Sequence, residues 1–542
     1  MNNRKKNNRK NMAMAATQKS AKPDKGTKHP WGMLKPCTAR WLTYALGFVA
    51  LLAFVTWGYG DVFERAEQNS FVTTTDSEQM HYLLSQPMGQ VYWFTRWVLI
   101  LFKWSWLGGI VLAAIYTLTA RFTDYALQLP RKFEGLGFIV PIAELAWVIW
   151  RGTNVYYQTE PSKFVLVALS ALAVTAVLAL VSWVITRKRE HKAVPAGVRP
   201  WGLCVALVLT FGELAIARTV NENVILTARF KNLELRQDWD TIIEEAKAAK
   251  RPTRAVAAYY AIALEETDQL LQGMYDIPYD FPVENLDSIN GTNEYGIFTA
   301  DCNYHAGLLN AAYRLALEHT VMNGPRLDCY KRLAVCALLM NEKALARKYL
   351  SLVGQMPFEG DFVQKYTAML NNKELIKEDA ELMHVLSLEP KMDNFEQNYR
   401  QPLFLGYNFG LTEGTDATLV TSAAACLYGK DLQSFLPRAQ VMAQKGISFP
   451  PCMQQAICIL ALRDQSLLKH FPQVNQYVMS EISSFLTDAR PYAKDRLKLR
   501  SELKEQWLGT YVYYYYTENN DPDQVIKADN LSGNKGYKNS VN

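Results

Sequence analysis

Between residues 41 and 217 the chain holds five apolar runs, each close to the length a helix needs to cross a bilayer. A hydrocarbon core of about 30 Å takes about 20 apolar residues at the α-helical rise. The runs cover 41–59, a stretch centred on 106–118, 135–150, 164–185 and 201–217. Lipid offers the backbone no hydrogen-bond partners, so runs of this kind must be helices. The expectation is an all-α protein. A transmembrane bundle of about five spans (41–218) precedes a soluble α-helical array (219–516), with a basic arm (1–40) before it and a short tail (517–542) after it. The arm and tail lack apolar periodicity and read as disordered. The first run is too long for a cleavable signal peptide, and "GYGDVF" after it offers no small-x-small cleavage site.

The net charge of +6 is unevenly placed, which makes it a topology signal and not a nucleic-acid footprint. Residues 1–40 contain eleven Lys or Arg and one acid, Asp24. With the loops 121–135 and 187–200, one side of the bundle carries nineteen basic residues. The loops on the other side carry three: Arg65, Arg151 and Lys163. Basic residues stay in the cytoplasm. The reading is therefore a multi-pass protein of a bacterial inner membrane, with a cytoplasmic N-terminus and a periplasmic C-terminal domain. Ahead of the second span, residues 90–104 are apolar but carry Arg96 and Lys103 on one helix face, so this stretch reads as an amphipathic helix on the outer membrane surface.

Two acids fall inside spans. Glu144 sits near the middle of the third run and Glu213 near the outer end of the fifth. An intramembrane acid marks a pathway or a polar contact between helices. Five spans without an internal repeat suit a transporter poorly. Glu144 is therefore expected to hydrogen-bond a Tyr, Trp or Ser of a neighbouring helix, and Glu213 to reach the interface.

From residue 220 onward the apolar period is helical. The pairs 238–250 with 251–271, 327–340 with 343–356, and 417–428 with 432–446 read as helical hairpins, with further helices at 304–324 and 450–462. Their spacing is that of a degenerate tetratricopeptide-like array, a form that stacks into binding surfaces. Residues 228–516 are expected to fold without the bundle. The "DWD" at 238–240 matches a metal-binding D-x-D only loosely and suits a helix start better. Two long aperiodic stretches, 276–303 and 389–410, are candidate partner contacts. "YVYYYY" (511–516) should dock on the array. None of the eight cysteines forms a C-x-x-C pair, so neither zinc nor another cofactor is indicated.

The combination of "EQNSF" (67–71), "LSQPMG" (84–89), "WLGG" (106–109), "YHAGLLNAAYRLALEH" (304–319) and "RLAVCALLMNEKALARKYLSLV" (332–353) resembles multi-pass membrane proteins of Bacteroidetes catalogued as a domain of unknown function. That resemblance covers most of residues 40–515. It implies an inner-membrane location and a periplasmic helical domain, and it carries over no catalytic residues.

Two functional classes fit. One is a membrane-anchored scaffold whose helical array binds an envelope protein, with lipid and protein as its partners and no nucleic acid. The other is a glycosyltransferase-like membrane enzyme using acids of the first outer loop, Asp61, Glu64 and Glu67. G-x-S-x-G, H-E-x-x-H and a phosphate-binding glycine loop are all absent from the sequence, which favours the first.

Overall fold

The computed structural model describes residues 36–73, 77–130, 133–157, 160–187, 201–279, 294–390, 399–400, 405–406 and 414–518. The basic arm up to residue 35, the tail beyond Glu518, and most of the two stretches read as partner contacts (280–293, and 391–413 apart from four residues) lie outside the described residues.

Helix α1 (Pro36–Ala53) ends in one wide π-helical turn over Phe54–Gly58. Three helices follow: α2 (Gly60–Gln68), α3 (Glu78–Ser85) and α4 (Gly89–Leu99). A 3-10 turn extends α4 to Lys103, and the extended backbone of Trp104 then turns the chain into α5 (Ser105–Ala126). Helices α6 (Ile139–Arg151), α7 (Lys163–Thr186) and α8 (Trp201–Val220) complete the bundle. Five helices are long and apolar enough to cross a membrane: Trp41–Gly58, Ser105–Ala126, Leu136–Val155, Lys163–Thr186 and Trp201–Val220. Helix α7 exposes Val174, Val177, Leu180 and Ile185, a face that lipid covers and water would not. At the end of the bundle away from the helical domain, one carboxylate organises the turn into the third span. Asp124 accepts hydrogen bonds from Tyr44 Oη at 2.6 Å and from the backbone N–H of Gly135 and Gly137 at 2.8 and 2.7 Å. Only glycine fits at 137, where a Cβ would stand 2.2 Å from the Ala120 carbonyl oxygen.

The helical domain runs through α9 (Glu222–Glu234), α10 (Trp239–Ala248), α11 (Arg254–Glu266), the single turn α12 (Leu270–Gly273), α13 (Thr299–His305), α14 (Leu309–Asn323), α15 (Leu327–Leu339), α16 (Lys343–Val353), α17 (Gly360–Asn371) and α18 (Ala380–Leu388). Beyond a two-residue antiparallel ladder (Tyr399–Arg400 with Leu405–Gly406) come α19 (Asp416–Tyr428), α20 (Leu432–Gln444), α21 (Pro451–Ala461), α22 (Gln476–Ala489), α23 (Arg496–Trp507) and α24 (Tyr511–Thr517). Asp238 caps α10, accepting from the Thr241 N–H, which accounts for the first acid of "DWD". The helix expected over 304–324 is interrupted. Gly307 takes a left-handed φ of +74°, and a Cβ there would lie 2.5 Å from the Leu388 carbonyl carbon, so α13 and α14 are separate helices.

Two cores hold this domain. One joins α9–α13 to α19–α24, with Tyr259, Tyr260, Leu427, Ile457 and the buried tyrosines 511, 513 and 514 of α24. The other joins α14–α18, and into it fit Phe71, Val72 and Ile100 from the segment between the first two spans. That bears on the expectation of a self-sufficient 228–516 unit. Its second core takes three apolar side chains from the membrane half, each nearly fully buried, so cutting them away would leave a cavity.

Candidate functional site: a charge seam between bundle and helical domain

Helix α9 lacks the polar face of a surface helix. Thr227, Ala228, Phe230, Lys231, Asn232, Leu233 and Glu234 are all buried, because α2, α10 and α11 pack around it. A helix with charge on buried faces needs partners for that charge; α9 finds them on α13 and α15, and through these the network reaches α2 and α11. Lys231 Nζ lies 2.6 Å from Glu234, 2.9 Å from Asp301 of α13 and 3.7 Å from Asp328 of α15. Arg332 of α15 reaches Glu234 at 2.9 Å and Asp301 at 2.7 Å, with its guanidinium 3.8 Å from the Tyr304 ring centroid. Arg65 of α2 pairs with Asp328 at 2.9 Å. His305 bridges Glu234 at 3.1 Å and Glu266 of α11 at 2.6 Å. Tyr259 donates to Asp301 at 3.1 Å.

With His305 protonated, four cations (Arg65, Lys231, His305, Arg332) face four carboxylates (Glu234, Glu266, Asp301, Asp328). The charges stabilise each other's ionised forms. Burial opposes the charge on Lys231, yet Asp301, Asp328 and Glu234 outweigh it and raise its pKa. Burial likewise opposes ionisation of Glu234 and Asp328. Lys231 foremost for the first, and Arg65 foremost for the second, hold both far below the usual carboxylate range. Burial would lower His305, but its hydrogen bonds to Glu234 and Glu266 push it up to about 9. The network is a closed electrostatic joint. Its charges are spent on one another; seven of the eight belong to the helical domain, and Arg65 of α2 ties them to the bundle.

The three acids expected of an enzyme lie on α2, beside this joint. Asp61 accepts from Asn232 at 3.2 Å and faces Arg229 at 4.0 Å. Glu64 accepts from Ser105 at 2.9 Å and Arg236 at 3.0 Å; burial raises its pKa. Glu67 is buried, and burial first, then the nearby Glu359 carboxylate, push it up to about 8 against the pull of Lys331 and Lys103. Those two lysines each pair with Glu359 at 2.6 Å. Asp61 and Glu64 thus bind the helical domain, and Glu67 packs against a lysine–glutamate cluster. None of the three lines the cavity between Phe71 and Arg96 or the one between Ala261 and Tyr428. Among the described residues no group of three or more His, Cys, Asp or Glu side chains is placed to hold a metal ion.

One intramembrane acid departs from expectation. Both oxygens of Glu144 are enclosed yet meet no hydrogen-bond donor or acceptor, where a bond to a neighbouring helix was expected, and one oxygen of the half-buried Glu213 is in the same state. The reason is geometric. On the facing helix the polar group within electrostatic range of both is Tyr116, and its hydroxyl makes no hydrogen bond to either. Sequence reasoning missed Lys231, Glu234, Asp301, His305, Asp328 and Arg332 entirely. A signal for Lys231 and Glu234 alone was available in "ENVILTARFKNLE", a helix of charged residues with no continuous apolar stripe.

Fold and seam together define a class: a multi-pass helical membrane protein carrying a helical domain locked onto one end of its bundle. A family model described as a family of unknown function (DUF6057) matches residues 35–220 and, in an overlapping second match, 149–518. The chain belongs to that family. No curated protein and no solved structure matches it.

Proposed function

We propose that this protein is a membrane-anchored scaffold of the bacterial inner membrane, whose tetratricopeptide-like periplasmic domain binds an envelope protein. The observation that carries this reading is the seam: a charge-balanced network tied to the bundle through Arg65, and a shared apolar core, hold the helical domain against one end of the bundle. A mount of that kind serves display of a binding surface. The asymmetry of nineteen basic residues against three supports the cytoplasmic arm and periplasmic domain. Away from the bundle, the domain exposes Tyr477 at the head of α22 and Leu497 at the head of α23, at 72% and 65% exposure. Tyrosine is among the side chains that most often anchor partner interfaces.

The test has two parts. A reporter active only in the cytoplasm, fused after Asn542, should stay inactive; activity there would reverse the topology. Cross-linked partners recovered with the full chain from gently solubilised membranes should be lost from a Tyr477→Ala, Leu497→Ala double variant at equal protein level. Retention of the same partners by that variant would remove this surface from the reading.

A further inference from the structure

A cavity of about 250 Å³ opens where the bundle meets the helical domain. Its walls come from both bodies: Phe71 and Val72 before α3, Tyr82 of α3, Tyr92 and Arg96 of α4, and the Asn323–Pro325 turn that ends α14. Its position relative to lipid follows from α4. One side of α4 meets the ends of the spans, where Thr95 Oγ1 lies 2.9 Å from Ser162 Oγ just before α7. Another packs Trp93 and Trp97 against the core of the helical domain. The remaining side exposes Val91 and Phe94. A helix held this way lies in the interface at the domain side of the bilayer. Across the cavity, the last turn of α14 leaves Val321 and Met322 at 77% and 74% exposure. Apolar side chains thus flank the cavity on both walls.

The chemistry of the lining is selective. On the floor Arg96 forms a two-point pair with Glu160, at 2.6 Å through Nη2 and 3.3 Å through Nε, while its Nη1 donates to the Phe71 carbonyl at 2.8 Å. Three guanidinium nitrogens are committed and the floor has no net charge, so an anion gains no surplus cation there. The Glu160 carboxylate is partly open, at 19% side-chain exposure, and each of its oxygens retains a lone pair for a donor. Higher in the cavity, the hydroxyls of Tyr82 and Tyr92 and the amide of Gln86 make no hydrogen bond to any described residue.

We propose that this cavity holds the head group of a zwitterionic phospholipid drawn from the leaflet on the side of the helical domain. Its ammonium faces Glu160, its phosphate meets the Gln86 amide and the tyrosine hydroxyls, and its acyl chains leave between Val91 and Phe94 on one side and Val321 and Met322 on the other. The lipid then fills the wedge between the two bodies that the charge seam joins.

Native mass spectrometry of the full chain in mild detergent tests this, with phosphatidylethanolamine and phosphatidylglycerol offered at equal concentration. The wild type should keep one phosphatidylethanolamine with at least ten-fold preference. Asn323→Trp, which fills the mouth from a half-buried position, should lose at least ten-fold of that retention with its unfolding temperature unchanged. Should that variant unfold, Gln86→Trp on the exposed rim takes its place with the same expectation. Equal retention of the two lipids, no lipid on the wild type, or undiminished retention by the folded filled variant each overturns the proposal. Soluble glycerophosphoethanolamine is the final arm: it should compete at least ten-fold more weakly than the lipid. Equal competition would make a free metabolite the occupant and overturn the lipid assignment.

Discussion

At the seam, eight ionisable side chains are buried or half-buried and every one touches an opposite charge. Within the spans, Glu144 and Glu213 are half-buried, and neither oxygen of Glu144 touches a partner. The two regions solve different problems. The seam joins segments far apart in the chain, and a network of directed charges fixes one docking geometry where apolar surface alone would allow sliding. The bundle is held by apolar packing along its spans, and its acids are carried by that packing without contributing a bond to it. Burial of charge is therefore informative here only together with pairing. The paired group is part of the joint, and the unpaired one is a site where the charged form is hard to sustain.

The contrast breaks most sharply at Lys231. Lys231→Met keeps length and apolar volume but leaves Asp301, Glu234 and Asp328 short of the cation they share. Removing one partner of a buried network costs about 3–5 kcal/mol. Chemical unfolding of the full chain in detergent should show a loss of that size. A loss below about 1 kcal/mol would mean the apolar core, with Phe71, Val72 and Ile100, holds the domain unaided.

The next effect is pH-dependent. His305 titrates near 9 in the fold against 6.5 in an unfolded chain. A group raised in this way adds stability that is complete below 6.5 and disappears as pH climbs through 9. Glu67, pushed to about 8, and Glu265, which burial pushes to about 7, act in the same direction: each loses its proton less readily in the fold, so stability falls from the unfolded value of 4.5 up to those pH values. Glu234 and Asp328 are depressed, so their contribution is present above the ordinary carboxylate range and lost in acid. Unfolding temperature should therefore peak in the ordinary carboxylate range, near pH 4–5, and decline toward pH 9. His305→Gln should flatten the decline between pH 6.5 and 9, and an unchanged slope there would assign it to other groups.

The same comparison explains what the sequence could and could not disclose. The spans were legible because a membrane imposes a local rule: twenty apolar residues in a row are visible without knowing what they pack against. Helices α15 and α16 were legible because their apolar period repeats within one turn. The seam obeys no local rule. Arg65 and Asp328 are 263 positions apart, and Lys231 and Asp301 are 70 apart. Each looks like a solvated charge until the fold brings them together. Asp61 and Glu64 follow the same rule: acids just past a span look like open loop charges, and only the fold shows that they accept hydrogen bonds from Asn232, Ser105 and Arg236.

The smallest expected effect is the one that sharpens the contrast. Glu144→Gln changes a carboxyl whose oxygens have no hydrogen-bond partner, inside an apolar bundle. A glutamine of the same shape removes the ionisable proton and adds two amide donors. Since the acid makes no bond, the change deletes none. Since the site is enclosed, the amide gains none either, and the two neutral side chains are desolvated to a similar degree. Stability should shift by no more than about 0.5 kcal/mol, in line with substitutions that touch no network, and membrane insertion should match the wild type. A loss as large as that of Lys231→Met would show that Glu144 is a member of an interaction in the membrane, made with a lipid or a partner helix. In that case the bundle, like the seam, would be held by polar contacts.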